Sequence, residues 1–287
     1  MALTRTALRS FLLAALHEDG AHQDITSRAV LPAPARIRAR IIAKSSGVLA
    51  GAELTALTFT TLDPSLRCRL HLRSGASLTP GKPILTVEGR ARSILAAERT
   101  ALNLLGHLSG IATLTRAFVL RAKGTRAQIL DTRKTLPGLR KLEKSAVLTG
   151  GGHNHRLNLA EAILVKTNHL RAARSRTIAQ LIARARRIRP KRFVEIEVAN
   201  LREFHAALDA QPDAILLDNW RLPAIRKAVA LRNSPPITQH SSPLLEASGG
   251  VTLANVRAIA KTGVDRISVG RLTHSAPSLD ISLTVLP

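Results

Sequence analysis

Short apolar runs recur along the second half of the chain, from about residue 108 onward. Each run is followed by polar residues and then by a segment with helical periodicity, such as RTIAQLIARARRI or LREFHAALDA. The six runs are AQILD, EAILVK, FVEIEV, DAILLD, SPLLEAS and DRISVG. Strands that alternate with helices at this spacing are typical of βα units with a parallel sheet. Six such units predict a complete or incomplete β/α barrel.

The first half of the chain has a different pattern, in which strand-like and helix-like segments are mixed. Residues 35–44, ARIRARIIAK, and residues 66–72, LRCRLHL, alternate apolar and basic positions, which predicts two half-buried strands. A turn is predicted at Thr79-Pro80-Gly81-Lys82, before the strand-like PILTVEG. A helix-compatible segment, ARSILAAERTALNLLGHLSG, follows. This order of elements predicts a small α+β layer.

The first twenty residues have two interpretations. Basic residues before FLLAAL resemble a short signal peptide, but the apolar core is short, and Glu18 and Asp19 follow it without a cleavage site. The favoured interpretation is an amphipathic first helix of the mature protein, with apolar residues at helical spacing: Leu8, Phe11, Leu12, Ala15 and Leu16. No apolar run approaches the roughly 18 residues of a membrane helix, so a membrane partner is not expected.

Composition narrows the classes of partner. Apolar residues make up 45% of the 287 residues, but there are only five Phe, one Trp and no Tyr, so the platforms for stacking nucleic-acid bases are missing. The net charge of +24 attracts anions. It has three interpretations: a generally Arg-rich surface, a surface that binds nucleic acid, or a site that binds small polyanionic substrates. Because the basic residues are scattered, with short clusters such as RARRIRPKR at 184–192, nucleic acid is not an expected partner.

A single cysteine, Cys68, excludes an intramolecular disulfide framework and a cysteine-based zinc site. It also fits a reducing, cytoplasmic setting. Cys68 lies in a strand-like run outside the barrel, and the sequence has no serine nucleophile elbow. Covalent catalysis is therefore not expected.

Charged and glycine residues follow the apolar runs, at the strand ends where barrel enzymes place their sites. For a single residue a solvated loop is an equally good interpretation. All six strand ends, however, carry residues that are suited to a binding site. They are Asp131-Thr132-Arg133-Lys134, Lys166, Glu197, Asp218-Asn219, Ser248-Gly249-Gly250 and Gly270.

These residue types suggest three roles. The cations Arg133, Lys134, Arg156 and Lys166 can hold a multiply anionic ligand. Carboxylates at Glu197 and Asp218 can bind ribose hydroxyls or position Mg²⁺. Backbone N–H groups of Ser248-Gly249-Gly250 and Gly270 can cradle a phosphate, helped by the N-terminus of the helix-like VTLANVRAIAKTG.

The segment GGGHNHR at 150–156 has two interpretations. His153 and His155, with His169, can be zinc ligands, but no cysteine and no obvious carboxylate partner supports this. A flexible glycine loop that presents His155 and Arg156 to an anion is the better interpretation.

Eight segments in order, together with HEDGAHQDITS near the start, resemble the quinolinate phosphoribosyltransferase family (nicotinate-nucleotide pyrophosphorylase, carboxylating). The similarity extends nearly end to end. The segments are AERTALNLLGHLSGIAT (97–113), ILDTRKTLPGLRKLEKSAV (129–147), GGGHNHRLNL (150–159), LVKTNH (164–169), EIEV (195–198), ILLDN (215–219), EASGG (246–250) and ISVGRLTHSAPSLDISL (267–283).

The resemblance implies that quinolinate and phosphoribosyl pyrophosphate react with Mg²⁺ to give nicotinate mononucleotide, pyrophosphate and CO₂ in NAD synthesis. It implies an α/β fold: an incomplete β/α barrel with an N-terminal α+β sandwich domain. The expected sandwich covers residues 1–105, and the barrel covers 106–273. A C-terminal tail, 274–287, is expected to pack with the sandwich. The family also implies a homodimer or hexamer whose subunits share active sites.

Carried over residue by residue, the resemblance implies the following roles. The quinolinate-binding group comprises Arg99, Arg133, His155, Arg156 and Lys166. Lys134 contacts both substrates, and Glu197 and Asp218 act on the ribose and Mg²⁺ side, so these three are the expected catalytic residues. The phosphate cradle comprises Ser248, Gly249, Gly250 and Gly270, and the remaining substrate-binding residues are Thr132, Val269 and Arg271.

The chain departs from the family at two positions. Thr167 stands where the family usually has Asp, in Lys-Asp-Asn-His, and Ser145 stands where it usually has Tyr. Two alternatives stay open at this point: a phosphoribosyltransferase-like paralogue of the molybdate-operon type with another acceptor, and a non-enzymatic basic protein that binds nucleic acid.

Overall fold

The computed structural model of the protein describes residues 4–173, 176–234 and 242–287. It separates into two compact units. The first contains residues 1–116, 137–151 and 276–287, and the second contains 117–136 and 152–275. The domain boundary predicted near residue 105 falls inside a long helix, Ala91–Ala122, and the domain limits stay a prediction.

The elements follow one another in chain order. Up to the long helix they are α1 (Arg5–Glu18), α2 (Ile25–Val30), β1 (Arg36–Ala43), β2 (Gly47–Val48), α3 (Ala52–Leu62), β3 (Arg67–Leu70), β4 (Ser77–Leu78), β5 (Pro83–Arg90) and α4 (Ala91–Ala122). Next come β6 (Gln128–Leu130), α5 (Arg140–Thr149), β7 (Ile163–Val165), α6 (Thr167–Ala172), α7 (Ile178–Ala185), β8 (Val194–Val198), α8 (Leu201–Ala210) and β9 (Ala214–Asp218). The last are α9 (Leu222–Asn233), β10 (Leu244–Ser248), α10 (Val256–Ala260), β11 (Arg266–Ser268), α11 (Arg271–His274) and β12 (Ile281–Leu286).

The first unit is built on an antiparallel sheet of order β12–β1–β5–β3. Alternation along β1 buries Ala39 and Ile41 on one face, where the core also contains Phe59 of α3. Helix α1 begins at the N-cap Thr4, whose side chain accepts a hydrogen bond from the N–H of Ala7. The amphipathic first helix and the strands predicted in this half are confirmed.

The second unit contains a parallel sheet of order β6–β11–β10–β9–β8–β7, and all six predicted runs form its strands. These runs are almost continuously apolar because parallel strands in such folds are covered on both faces. Within the described residues no ladder joins β7 to β6. An isolated bridge from Leu130 to His153 occupies the outer edge of β6. The sheet is therefore an incomplete β/α barrel, as predicted.

One helix prediction is wrong in part. The segment VTLANVRAIAKTG was expected to be helical directly after Gly250, but α10 begins at Val256. Thr252 and Asn255 explain the delay. The N–H of Thr252 donates to Asn255 Oδ1 at 2.8 Å, and the N–H of Asn255 donates to Thr252 Oγ1 at 3.3 Å. These reciprocal bonds cap the helical turn that follows Thr252, where the N–H of Val256 donates to the carbonyl of Thr252 at 2.9 Å, so helical hydrogen bonding begins after Thr252 and not at Gly250.

In the described part of the chain, no helix combines the length and the apolar character that crossing a membrane requires.

Candidate active site

A cavity of about 330 Å³ opens at the carboxyl ends of the parallel strands in the second unit. Fourteen of the fifteen predicted site residues line it. They are Thr132, Arg133, Lys134, His155, Arg156, Lys166, Glu197, Asp218, Ser248, Gly249, Gly250, Val269, Gly270 and Arg271. The fifteenth, Arg99, is exposed on α4 in the first unit and is not among the lining residues.

The loop after β6 presents Arg133 and Lys134 to the cavity. The Lys134 N–H donates to Thr132 Oγ1 at 3.1 Å, and its carbonyl accepts from the Thr273 hydroxyl at 2.7 Å. The Nε of Arg133 is buried and has no hydrogen-bond partner among the described residues. A buried donor without an acceptor is costly. The site is therefore suited to an anionic ligand that supplies one.

Arg156 adds a second guanidinium to this wall. One of its terminal nitrogens donates to the carbonyl of Ala162 at 2.9 Å. Burial lowers the pKa of Arg156, Arg133 lowers it further, and Glu195 opposes both effects. Two partly desolvated guanidinium groups repel each other, so an anion bound between them relieves that repulsion.

Two buried carboxylates adjoin His155 in this part of the site, and Glu246 also lines the cavity. Neither residue was predicted, because neither directly follows an apolar run. Glu195 on β8 and Glu246 on β10 are 2% and 0% exposed. The Nε2 of His155 is 3.0 Å from Glu195 Oε2 and 3.5 Å from Glu246 Oε1. Both residues sit inside apolar runs instead of after them. A glutamate inside an otherwise apolar strand was the sequence signal that could have identified these two residues.

Glu246 is held largely in its protonated form. Burial and the neighbouring Glu195 raise its pKa to about 8, against the smaller opposing effects of His155, Ser268 and Arg266. Two carboxylates this close and this buried cannot both ionise readily.

The three histidines of the zinc interpretation do not come together. His155 clusters with Glu195 and Glu246, and this is the group of potential metal ligands found in the described ranges. His169 is exposed, and its Nδ1 accepts a hydrogen bond from the N–H of Lys166 at 2.8 Å. His169 thus caps the first turn of α6. The expectation that His155 lacks a carboxylate partner is wrong, because Glu195 and Glu246 face it.

Glu197 and Asp218 line the cavity from the neighbouring strands β8 and β9. Oε1 of Glu197 accepts hydrogen bonds from the hydroxyl and the N–H of Thr167, at 2.6 and 3.1 Å. Oδ2 of Asp218 accepts one from Nδ2 of Asn219 at 3.0 Å. Thr167, the departure from the family pattern, thus donates twice to a predicted catalytic carboxylate.

The turn after β10 requires glycine at position 249. Gly249 has φ of +89°, and a Cβ there would lie 2.1 Å from Oδ1 of Asn219. Asn219 also has positive φ, 58°, and its N–H donates to the carbonyl of Ser248 at 2.8 Å. The glycine lets the loops after β9 and β10 meet closely. The turn is not at a helix N-terminus as predicted, because α10 begins later, at Val256.

Trp220 follows Asn219 and connects this rim to β8. Its Nε1–H donates to the carbonyl of Val198 at 3.0 Å, and its ring meets Phe204 edge-on at 6.0 Å. Cys68 lies in the first unit, where burial raises the pKa of its thiol to about 11. A thiol with that pKa is a poor nucleophile, as expected.

Comparison with known proteins gives consistent results. The family described as "Quinolinate phosphoribosyl transferase, N-terminal domain" matches residues 24–109, and its C-terminal domain matches 111–284. The chain is 42% identical over 280 residues to "Nicotinate-nucleotide pyrophosphorylase [carboxylating]" of Mycobacterium leprae (strain TN), covering 96% of each chain. It is 38% identical over 296 residues to "Quinolinate phosphoribosyltransferase [decarboxylating] 1b" of Nicotiana tabacum, covering 97% of this chain and 82% of that protein.

Solved structures agree with the sequence relatives. The crystal structure of NadC from Streptococcus pyogenes superimposes with a TM-score of 0.90 at 38% identity and covers 100% of both chains. The nicotinate-nucleotide pyrophosphorylase of Ehrlichia chaffeensis superimposes with a TM-score of 0.90 at 34% identity, again over 100% of both chains.

Proposed function

The chain belongs to the quinolinate phosphoribosyl transferase family, and we propose that quinolinate and phosphoribosyl pyrophosphate react in the cavity at the strand ends. The enzyme transfers the phosphoribosyl group to quinolinate with decarboxylation, and the products are nicotinate mononucleotide, pyrophosphate and CO₂ for NAD biosynthesis. The observation that carries the placement is the single cavity that gathers the predicted cations, carboxylates and glycine turn.

Quinolinate binds through its two carboxylates to the cationic wall. Arg133 and Arg156 offer planar donor groups that suit carboxylates, and the buried Nε of Arg133 supports this role. Lys166 lines the same cavity and adds a third positive charge. Binding of the dianion offsets the mutual repulsion of these groups.

Phosphoribosyl pyrophosphate occupies the other side, where its phosphates meet the backbone of Ser248, Gly249, Gly250 and Gly270. At the three glycines the absence of a Cβ atom permits close approach of a phosphate oxygen to the N–H groups. A Cβ on Gly270 would lie 3.1 Å from Cδ of Lys134, so glycine also leaves room for that side chain. Lys134 contacts both substrates from this position.

The chemical step begins when the pyridine nitrogen attacks C1′ of the ribose and the bond from C1′ to pyrophosphate breaks. The ribose becomes cation-like in the transition state. Glu197 and Asp218, fixed by Thr167 and Asn219, stabilise that charge electrostatically. Loss of CO₂ then leaves an electron pair on the ring carbon. The nearby cations accommodate it until a proton replaces the carboxylate.

Mg²⁺ is proposed to bind on the carboxylate side. The cavity offers the oxygen ligands that this ion prefers, from Glu197 and Asp218. When bound, Mg²⁺ neutralises charge on the pyrophosphate leaving group.

The active site is proposed to be shared within a homodimer or hexamer, because Arg99 is exposed and is not among the residues that line the cavity. The partner subunit's Arg99 then completes the quinolinate site. A cytoplasmic location is also proposed, supported by the single, unreactive thiol.

The test is to mix the purified protein with quinolinate, phosphoribosyl pyrophosphate and Mg²⁺ and to measure nicotinate mononucleotide and CO₂. Nicotinate in place of quinolinate is the control for acceptor choice, and product formation should require quinolinate. A folded protein that forms no product, or that uses other acceptors equally well, contradicts the proposal.

A further inference from the structure

His155 is fixed at three points inside the protein. Its backbone N–H donates to Oδ1 of Asp131 at 2.9 Å. Its Nδ1 accepts from the N–H of Arg156 at 2.8 Å. Its Nε2 faces Glu195 and Glu246.

These contacts determine the tautomer. A backbone N–H can only donate, so Nδ1 must be the unprotonated nitrogen and Nε2 must carry the proton. The Nε2–H therefore donates to Glu195 Oε2 at 3.0 Å. Both ring nitrogens of His155 are therefore used within the protein.

We propose that Asp131, Glu195 and Glu246 are positioning residues that act through His155 to hold the 152–156 loop and aim the Arg156 guanidinium at a quinolinate carboxylate. This inference rests on the proposed function, because it assigns how the dicarboxylate site is built. The three acidic residues come from β8, β10 and the end of β6, so the loop is tied to several strands of the sheet.

The arrangement also sets the charge of the site. Glu195 faces Arg156 and favours its charged form. Glu246, whose raised pKa keeps a proton at neutral pH, adds little negative charge. Asp131 is fully buried beneath the loop. The raised pKa of Glu246 limits the negative charge beside Arg156, and a further ionised carboxylate there would cancel more of the positive potential that attracts the dianion.

The alternative occupant of this cluster is a divalent metal ion, since the potential ligand atoms of His155, Glu195 and Glu246 lie within 4.8 Å of one another. The hydrogen bond from Arg156 to Nδ1 favours the proton instead, because it leaves the Nε2–H pointing at the carboxylates. Metal analysis of the purified protein separates the two: a tightly bound, stoichiometric ion that replaces the Nε2 proton would overturn the assignment.

Steady-state kinetics on Glu195→Gln, Glu246→Gln and Glu246→Ala tests the proposal. Glu195→Gln should raise KM for quinolinate about tenfold or more, the scale of one charge-assisted hydrogen bond, with a smaller change in KM for phosphoribosyl pyrophosphate. Glu246→Gln should raise KM less than Glu246→Ala, because the amide keeps a donor in place of the carboxyl proton. Glu88→Gln, a half-exposed glutamate of the first unit, is the matched control. A change in kcat alone, or equal changes in both KM values, contradicts a positioning role.

A second measurement does not depend on activity. NMR of ¹⁵N-histidine-labelled protein, with His155→Gln to assign the signal, should show a neutral ring protonated at Nε2. A ring protonated at Nδ1 or at both nitrogens overturns the proposal even if the enzyme is active. Conversely, the expected tautomer in an inactive wild-type protein would reject the proposed function and retain this geometry.

Discussion

The hydroxyl of Thr167 donates a 2.6 Å hydrogen bond to Oε1 of Glu197, and the backbone N–H of the same residue donates to the same oxygen. The family usually has aspartate at this position. Threonine therefore replaces a charge by a donor that orients the neighbouring carboxylate.

Thr167→Asp should fold and should make the reaction depend more steeply on Mg²⁺. A second carboxylate beside Glu197 repels it unless a cation lies between them. We expect a slower rate than wild type at low Mg²⁺ and an equal or faster rate at saturation, measured by product formation. Thr167→Asn, which has a similar shape and no charge, is the control. A variant slower than Thr167→Asn at saturating Mg²⁺ would contradict the expected metal position.

Arg133→Ala and Lys134→Ala should each lose activity by about a hundredfold or more, the usual effect of removing one preorganised charge from an active site. Their unfolding midpoints should change little, because both side chains face the cavity. Arg202→Ala, an exposed residue of α8, is the control. Similar, small effects at all three positions would refute the site assignment.

Gly249→Ala should destabilise the protein more than Gly250→Ala does. Both glycines have positive φ, so alanine costs about 1–2 kcal/mol at either position. At 249 the added methyl group also meets Oδ1 of Asn219 at 2.1 Å, whereas at 250 no heavy atom lies within 4 Å. Chemical denaturation measures the difference. Adding Asn219→Gly to Gly249→Ala should restore part of the lost stability, and equal effects of the two single variants would contradict the close approach.

Glu246 should make the free energy of unfolding depend on pH. Its pKa is raised from 4.5 to about 8 in the folded state, so the folded protein binds more protons than the unfolded chain between these values. Its contribution to stability therefore declines as pH rises through this window. Urea unfolding should show that the stability of Glu246→Gln relative to wild type increases from about pH 4.5 to about pH 8 and then levels off. A pH-independent difference would mean that the pKa of Glu246 is the same in the folded and unfolded states, which contradicts the burial effect.

Mixed dimers test the sharing of active sites. Homodimers of Arg99→Ala and of Lys134→Ala should be nearly inactive. If the partner subunit's Arg99 completes each cavity, a mixed dimer has one site with both residues intact and should recover up to about half of the normal activity. Verified mixed dimers without any recovery would place Arg99 in its own chain's site or outside the reaction.

The parallel sheet and the cavity rim could be predicted because their signals are local. A strand buried on both faces appears as a continuous apolar run, and the residue after it must lie at the rim, which located Lys166 and Asp218. The late start of α10 was missed because Thr252 and Asn255 cap the turn that leads into it, and helical periodicity alone does not show where such a cap lies.

The buried carboxylates were missed for a different reason. Glu195 and Glu246 interrupt apolar strands and meet only because β8 and β10 flank β9 in the sheet. Residues that meet in space from separate strands have no characteristic separation in the sequence, so a search for motifs does not find them. The same holds for Asn219 and Gly249, whose contact depends on how two loops are placed.

Trp220 has a practical consequence for experiments. It is the only tryptophan, and the chain has no tyrosine, so emission excited at tryptophan wavelengths comes from one indole. That indole follows Asp218 and Asn219 and is bonded to the end of β8, next to the two predicted catalytic carboxylates. Its fluorescence is thus a built-in, label-free reporter for this edge of the cavity, and the order of substrate addition can be followed from it by stopped flow.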